Sequence, residues 1–365
     1  MSEQPPGIEK RSLRGTLSRT LSATATKIVF ILLAGSLSMF FAEALSGSSV
    51  LWFVTPWAWL VTFWLYLAHL LLFINLALIF RRTSLTVLYL WGVLFGLHEA
   101  WITKVTWAGY AGQAPGIGKI LGFAIPEFPL IVFFWHPVFS FILPVLAFEV
   151  LSGKTNMLPG HRRYLSKRPR NWLVALSAVL IGATFLSMNA QGNLVATVVT
   201  IVGSVVIIGV LYLLSRGLSK ISGMRFSIES LRLGKIGMFV LLVYLALLYV
   251  LAFVYILPER TASPLTILLT LGVYTVIVGL LYLKKPDVPP ALPQSDAAVR
   301  FFGLKELLAL LAILTFPAAL LCLLIPLGQV LGLLLYFVIF LGSPVLFLMA
   351  VINVARDRYP PGISE

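Results

Sequence analysis

The chain has little charge and almost no cysteine, and each scarcity excludes a class of protein. Only 11% of its 365 residues are charged, whereas a soluble domain carries roughly a quarter charged residues. The single cysteine, Cys322, excludes an internal disulfide framework and a cysteine-based metal site. Among the charged residues the acidic ones are the fewer, 13 against 27 lysines and arginines, which leaves a net charge of +14.

Long apolar runs take the place of the missing charge. Since about 20 apolar residues cross a bilayer as one helix, the runs predict an all-α polytopic membrane protein, a bundle of about ten transmembrane helices. Two closely spaced pairs, the fifth with the sixth span and the ninth with the tenth, also fit long interrupted hairpins. The predicted spans are 28–47, 57–80, 85–106, 128–151, 171–189, 193–215, 236–257, 264–283, 304–325 and 328–353.

The basic residues predict how the chain lies in its membrane. All but Lys104, Lys119 and Arg260 lie in alternate connectors between the spans, which places both termini in the cytoplasm under the positive-inside rule. We expect an integral protein of the cell membrane whose basic loops contact anionic lipid headgroups. Because the charges are not gathered on one face or in one domain, we expect no nucleic-acid partner. We also expect no cleavable signal peptide, because no A-x-A-like site follows the first apolar run.

The connectors divide the chain into segments of different character. A proline-rich stretch excludes helix in the linker before the last two spans, and the loop 107–127 fits either a lid over a site or a plain connector. The predicted segments are a polar basic cytoplasmic tail (1–27), a four-span half carrying the polar site (28–152), a basic cytoplasmic loop (153–170), a six-span apolar half (171–355) containing the linker 284–300, and a cytoplasmic tail (356–365).

Polar side chains inside the membrane are concentrated in the first four predicted spans. Such residues are costly in a bilayer unless paired, so they indicate a functional site. With a rise of about 1.5 Å per residue, Glu43, the pair His98 and Glu99, and His136 reach one level in the outer half of the bilayer. The polar residues of these spans are Glu43, His69, Asn75, His98, Glu99, His136 and Glu149.

Helix geometry adds expectations about where these side chains point. A continuous third span would place Gly92, Gly96 and Glu99 on one closely packed face, with His98 turned about 100° away. Pro137 would open the fourth helix beside His136. At the membrane boundaries we expect a solvated Glu149, a Lys104 that snorkels to the interface, and an aromatic belt. The predicted belt consists of Trp52, Trp57, Trp59, Trp101 and Trp107.

Four interpretations of the polar residues remain open at this point. In a hydrolase, Glu99 would act as general base with His136 as its partner, supported by Glu43 and His98. His98, Glu99 and His136 are also candidate ligands for a metal, with Zn²⁺ the usual ion. A proton relay in a secondary transporter is the third interpretation, and a scaffold in which these groups only join helices is the fourth.

A weak internal repeat favours the transporter interpretation. Residues 85–88 read Leu-Thr-Val-Leu and residues 265–268 read Leu-Thr-Ile-Leu, and a glycine and a valine follow at the same spacing in both places. Because five spans separate the two stretches, they would face opposite sides of the membrane, as in a 5+5 inverted-repeat transporter.

Residues 41–151 resemble a group of largely uncharacterised prokaryotic multi-span membrane proteins, and more faintly the CAAX-processing and bacteriocin-processing membrane proteases. These proteases carry Glu-Glu-x-x-x-Arg on one span, Phe-x-x-x-His on another and His-x-x-x-Asn/Asp on a third. Glu99 and His136 match the first two motifs, and the third motif is absent. The resemblance implies hydrolysis of a peptide bond inside the membrane. The stretches that carry it are Phe41–Ser49, Gly96–Glu99 and Trp135–His136, with His98, Thr103 and Val132 at positions where the proteases have Glu, Arg and Phe.

Overall fold

The chain folds into a bundle of apolar helices, which confirms the predicted fold class. The structure, a computed structural model, describes residues 7–287 and 299–358. Within these ranges nine helices are long and apolar enough to cross a membrane, and the apolar stretch Leu85–Trp101 is shorter. The protein is therefore a polytopic helical membrane protein in which one predicted span, 85–106, does not form a full-length helix.

The helices follow one another with few long connectors. Three stretches within the first four predicted spans are π-helical, at Phe40–Ala44, Ala58–Thr62 and Ile131–Ile142. Two short antiparallel strands, β1 (Gly118–Ile120) and β2 (Phe123–Ile125), lie in the connector 109–126. The α-helices are α1 (Gly7–Met39), α2 (Phe63–Ile79), α3 (Leu85–Gly96), α4 (His98–Trp101), α5 (Val105–Ala108), α6 (Glu127–Leu130), α7 (Leu143–Ser152), α8 (Arg162–Leu165), α9 (Pro169–Asn189), α10 (Leu194–Ser222), α11 (Lys235–Tyr255), α12 (Pro264–Leu283), α13 (Leu304–Leu323) and α14 (Ile325–Arg358).

The third predicted span is interrupted, and a buried lysine follows the interruption. Leu97 separates α3 from α4, and Lys104 then adopts a left-handed conformation with φ of 60°. The expectation that Lys104 snorkels to the interface is wrong, because its side chain is fully buried. Its Nζ donates hydrogen bonds to the carbonyl oxygens of Phe253, at 3.0 Å, and Ile256. The last carbonyls of a helix have no partner inside it, so the ammonium group caps the end of α11.

Glycines let α3 lie directly against the π-helical segment Ile131–Ile142. A Cβ atom on Gly92 would lie only 2.5 Å from the Cα of Pro137, and one on Gly96 would lie 3.0 Å from the Cα of Val132. Because non-bonded carbons settle at about 3.5–4.0 Å, no larger residue fits without separating the backbones. The predicted close packing of the glycine face is confirmed, and its partner is the segment that carries His136.

Of the five tryptophans predicted to form an aromatic belt, two are buried, two are exposed and Trp101 is half-buried, so the prediction is wrong for the two buried residues. Trp52 and Trp107 are buried, and their indole N–H groups donate to Ser204 (2.9 Å) and Thr270 (3.0 Å). Trp57 is exposed, as an interfacial residue would be, and so is Trp59. The two buried indoles instead join the first half of the chain to α10 and α12.

The predicted tails and linker overlap the described residues only in part. The segment 1–27, expected to be a polar tail, is helical from Gly7 because α1 continues through it, and Thr26 bonds Ser222 of α10 at 3.0 Å. Of the predicted linker 284–300, residues 288–298 lie outside the described residues, as do residues 359–365 of the last tail. At the start of the linker, Asp287 accepts a hydrogen bond from the backbone N–H of Ser84 at 2.9 Å.

Candidate functional site

Two histidines converge on one carboxylate oxygen at the break between α3 and α4. The Nε2 atoms of His98 and His136 each lie 3.3 Å from Oε1 of Glu99, and one ligand atom from each residue lies within 4.8 Å of the others. The expectation that His98 turns away from Glu99 is wrong. The spacing of 100° per residue applies to a continuous helix, and here α3 ends at Gly96.

Hydrogen bonds on the far side of each ring fix the two histidines. Nδ1 of His98 lies 2.6 Å from the carbonyl oxygen of Phe95, one turn earlier. Nδ1 of His136 lies 2.9 Å from the hydroxyl of Ser140, whose own carbonyl accepts a hydrogen bond from Ser38 at 2.8 Å. Since a carbonyl only accepts, Nδ1 of His98 carries the hydrogen, and Nε2 of the neutral ring presents a lone pair.

That lone pair faces a carboxylate oxygen, which also only accepts when it is ionised. Two acceptors at 3.3 Å repel each other unless a cation lies between them. The cation is either a proton, which makes His98 an imidazolium or Glu99 a neutral acid, or a metal ion. The contact between His98 and Glu99 is therefore completed either by a proton or by a metal ion.

The carboxylate of Glu99 is the accessible side of this cluster. Its side chain is 13% exposed, against 1% for His98 and 3% for His136. Its second oxygen, Oε2, accepts a hydrogen bond from the hydroxyl of Thr103, which lies in the turn that follows α4. A ligand or water would therefore approach from the carboxylate side, while the imidazole rings are held in the packed interior.

A second carboxylate, Glu43, lies beside the cluster behind a tyrosine. Its two oxygens accept hydrogen bonds from Tyr66 (2.5 Å) and Ser49 (2.6 Å), and it is close enough to Glu99 and His98 to interact with their charges. The π-helical turn Phe40–Ala44 places it there. The structure thus brings together all four predicted site residues, Glu43, His98, Glu99 and His136.

Tyr66 is part of the site although nothing in the sequence singled it out. Its ring stacks on that of His136, with centroids 5.9 Å apart, and meets that of His98 edge-on at 6.0 Å. The ring of Phe95 contacts both, with its centroid 5.4 Å from that of His136 and 5.6 Å from that of Tyr66. A tyrosine in an apolar span is ordinary, so only its position three residues before His69, on a polar helix face, hinted at this role.

The other two polar residues of the second span have structural partners. His69 donates from Nδ1 to the carbonyl of Leu65 (2.8 Å) and accepts at Nε2 from the hydroxyl of Tyr249 (2.9 Å). Both of its nitrogens are therefore occupied, although its ring lies 4.9 Å from that of His98. Asn75 accepts from the backbone N–H of Leu233 at 2.6 Å and so holds the connector before α11.

A separate buried pair lies in the region of the predicted basic loop. The expectation that Glu149 is solvated is wrong, because its side chain is fully buried. One of its carboxylate oxygens lies 2.6 Å from Nδ1 of His161, and the other accepts a hydrogen bond from the backbone N–H of Leu158 at 2.6 Å. Nε2 of His161 reaches the carbonyl of Thr83 at 2.6 Å. Burial alone would lower the pKa of His161, but the hydrogen bond and charge of Glu149 outweigh it and raise that pKa. His161 was overlooked because a histidine in a basic loop is unremarkable in sequence.

Comparisons with known proteins agree with this architecture. The model of a family described as an uncharacterized membrane protein family matches residues 32–356. An uncharacterized protein of Archaeoglobus fulgidus is 35% identical over 133 residues, and that match covers 36% of this chain and 41% of the relative's length. No solved structure matches. Because the family match covers well over half of the chain, the protein belongs to this uncharacterized membrane protein family.

Proposed function

We propose that the protein is a membrane-embedded hydrolase whose reaction centre is a zinc site held by His98, Glu99 and His136. The observation that carries this proposal is the pair of Nε2 atoms, each 3.3 Å from Oε1 of Glu99. Ligands about 2.0–2.1 Å from a tetrahedral zinc ion lie about 3.3 Å from one another. The two separations therefore match two edges of a zinc tetrahedron, and the ligand atoms of all three residues lie within 4.8 Å of one another.

The contacts behind the three ligands support the same assignment. Metal-bound histidines donate their other ring N–H to a carbonyl or a similar acceptor, as His98 does to Phe95. The hydroxyl of Thr103 donates a hydrogen bond to the carboxylate of Glu99 and so orients this ligand. Catalytic zinc sites use three protein ligands and leave the fourth position for water or substrate, and the partly exposed face of Glu99 provides that approach.

Each neighbouring residue then has a role in hydrolysis. Zinc would supply an acidified water and polarise the carbonyl of the scissile bond. Glu43, whose hydrogen-bond partner Tyr66 stacks on His136, would accept the proton of the attacking water and return it to the leaving group. Tyr66 holds Glu43 through their 2.5 Å hydrogen bond. The match of Glu99 and His136 to the motifs of membrane proteases supports an amide or ester substrate that enters from the bilayer.

The proposal includes the placement of the protein in the cell. Both termini would lie in the cytoplasm and the reaction centre in the outer half of the cell membrane, as the alternation of basic connectors indicates. Basic loops would contact anionic headgroups, with no nucleic-acid partner. The four-span half, 28–152, would carry the chemistry, and the six-span half, 171–355, would surround it in the lipid.

Metal content and chemistry test the proposal together. Protein purified in detergent without chelators should carry one zinc ion per chain, and His98→Ala and His136→Ala should each lose it. His69→Gln is the matched control, because His69 lies beside the cluster but has both nitrogens bonded to other groups. In membranes from cells expressing Glu99→Gln, mass spectrometry of peptides and lipids should show a substrate accumulating and its cleaved product missing.

Two results would contradict the proposal. Equal metal content in wild-type protein and both alanine variants would remove the zinc site. Unchanged peptide and lipid inventories in the Glu99→Gln membranes would remove the hydrolase. If the cluster held a proton in place of zinc, and the chain moved a solute in proteoliposomes, the secondary-transporter interpretation would replace it.

A further inference from the structure

A cationic cavity lies at the end of the bundle opposite the candidate reaction centre. It has a volume of about 770 Å³ and is enclosed by the segment after α7, the end of α10 and the residues leading into α13. Its lining brings together basic side chains that are far apart in sequence and, among the described residues, includes no acidic side chain. The basic residues are Lys154, Lys167, Arg216, Lys220, Arg225 and Arg300.

Little within the described residues neutralises this charge. Lys167 pairs with Glu306, and the guanidinium of Arg225 is held by the neutral oxygens of Asn156 and Thr155, each at 2.7 Å. Arg216 contacts the hydroxyl of Tyr212 at 3.1 Å. Two of these guanidinium groups are thus positioned by neutral partners and keep their charge for another ligand.

An apolar cleft adjoins this cavity along the membrane-spanning helices. It lies between the π-helical turn Phe40–Ala44, α7, α9 and α13 and shares two lining residues, Val150 and Phe302, with the cationic cavity. Small residues open it, among them Ala147, Ala175 and Ala178. Hydrogen bonds between the residue pairs Lys167–Arg300 and Leu165–Phe302 fix the junction of the two spaces, with N···O distances of 2.8 Å.

We propose that cavity and cleft together form a binding site for one anionic phospholipid, with its headgroup phosphate in the cavity and an acyl chain in the cleft. Arginine forks match phosphate oxygens, and clusters of basic residues next to the membrane recognise anionic headgroups. The apolar continuation argues for a lipid over a free phosphate, because a soluble anion has nothing to place between α7 and α9. This site is independent of the zinc site and of hydrolysis.

Native mass spectrometry of the full-length protein in neutral detergent tests the proposal. After delipidation, phosphatidylglycerol should bind at one copy per chain, while phosphatidylcholine with the same acyl chains and glycerol 3-phosphate alone should not. In the double variant Arg216→Gln/Arg300→Gln the cavity loses two of its six basic side chains, which should weaken phosphatidylglycerol binding about tenfold or more. Ala178→Phe fills the cleft and should weaken it without changing the charge.

The control keeps the loss of charge but moves it away from the cavity. Arg232 and Lys235 are exposed basic residues that do not line it, so Arg232→Gln/Lys235→Gln should bind phosphatidylglycerol as the wild type does. Equal weakening in both double variants would show general attraction to the basic surface and overturn the proposal. Binding of glycerol 3-phosphate as tight as that of the lipid, or an Ala178→Phe variant with unchanged binding, would overturn it as well.

Discussion

Replacing Gly92 by alanine should separate α3 from the segment that carries His136. The new Cβ would lie 2.5 Å from the Cα of Pro137, about 1 Å less than carbon atoms tolerate. Overpacking of this kind costs about 1–3 kcal/mol. Since His136 directly precedes Pro137, the strain falls on the contact between His136 and Glu99, which is 3.3 Å in the wild type. Metal–ligand distances tolerate about 0.2 Å, so a shift approaching 1 Å should remove the metal.

Gly272→Ala is the matched control, since a Cβ there would meet nothing within 4 Å and alanine favours a helix by about 1 kcal/mol over glycine. Thermal unfolding in detergent and zinc content should be measured for both variants. Gly92→Ala should unfold at lower temperature and lose zinc, while Gly272→Ala should match or exceed the wild type. A Gly92→Ala protein with wild-type stability and zinc content would refute the close packing from which the site geometry is derived.

Three further substitutions test other contacts by thermal unfolding. His161→Gln leaves Glu149 buried without its partner, at a cost of about 3–5 kcal/mol. The pKa of His161 is raised in the fold. The stabilisation that the pair with Glu149 contributes is therefore complete below about pH 6.5 and is lost as the pH rises through the raised pKa. The difference in stability between His161→Gln and the wild type should shrink at alkaline pH, and a pH-independent difference would contradict the pairing. Lys104→Met uncaps α11 and should cost about 1–3 kcal/mol, whereas a neutral outcome would mean that water replaces the ammonium. Trp107→Phe should destabilise the protein by a similar amount, and the exposed Trp57→Phe by less than about 0.5 kcal/mol; equal effects would argue against the buried indole hydrogen bond.

The apolar runs and the glycine face could be predicted because they depend on local features. The length of an apolar run predicts a span. Small residues at helical spacing, such as Gly92 and Gly96, are typical of places where two helix backbones touch. Glu43, Glu99 and His136 could be placed at one depth by counting residues along straight helices. In the structure these residues lie near one another, with His136 beside Glu99 and Glu43 joined to them through Tyr66, so counting identified residues that the fold brings together.

The remaining features could not be predicted because they depend on helix breaks and on distant partners. The side chain of His98 meets Glu99 only because α3 ends at Gly96, which the apolar run conceals. In the sequence, Lys104 and Glu149 resemble residues at the membrane boundary. In the fold, Lys104 contacts a carbonyl oxygen of α11 and Glu149 contacts the ring of His161. In each case the sequence supplies a polar group, and the tertiary structure alone supplies its partner.

The position of a bound metal would distinguish a zinc site from a cluster that holds only a proton. Crystals of the protein prepared without chelators should be measured on both sides of the zinc absorption edge. We expect one anomalous peak about 2.0–2.2 Å from Nε2 of His98, Nε2 of His136 and an oxygen of Glu99. An ordered cluster with no anomalous density between these three atoms would contradict this expectation.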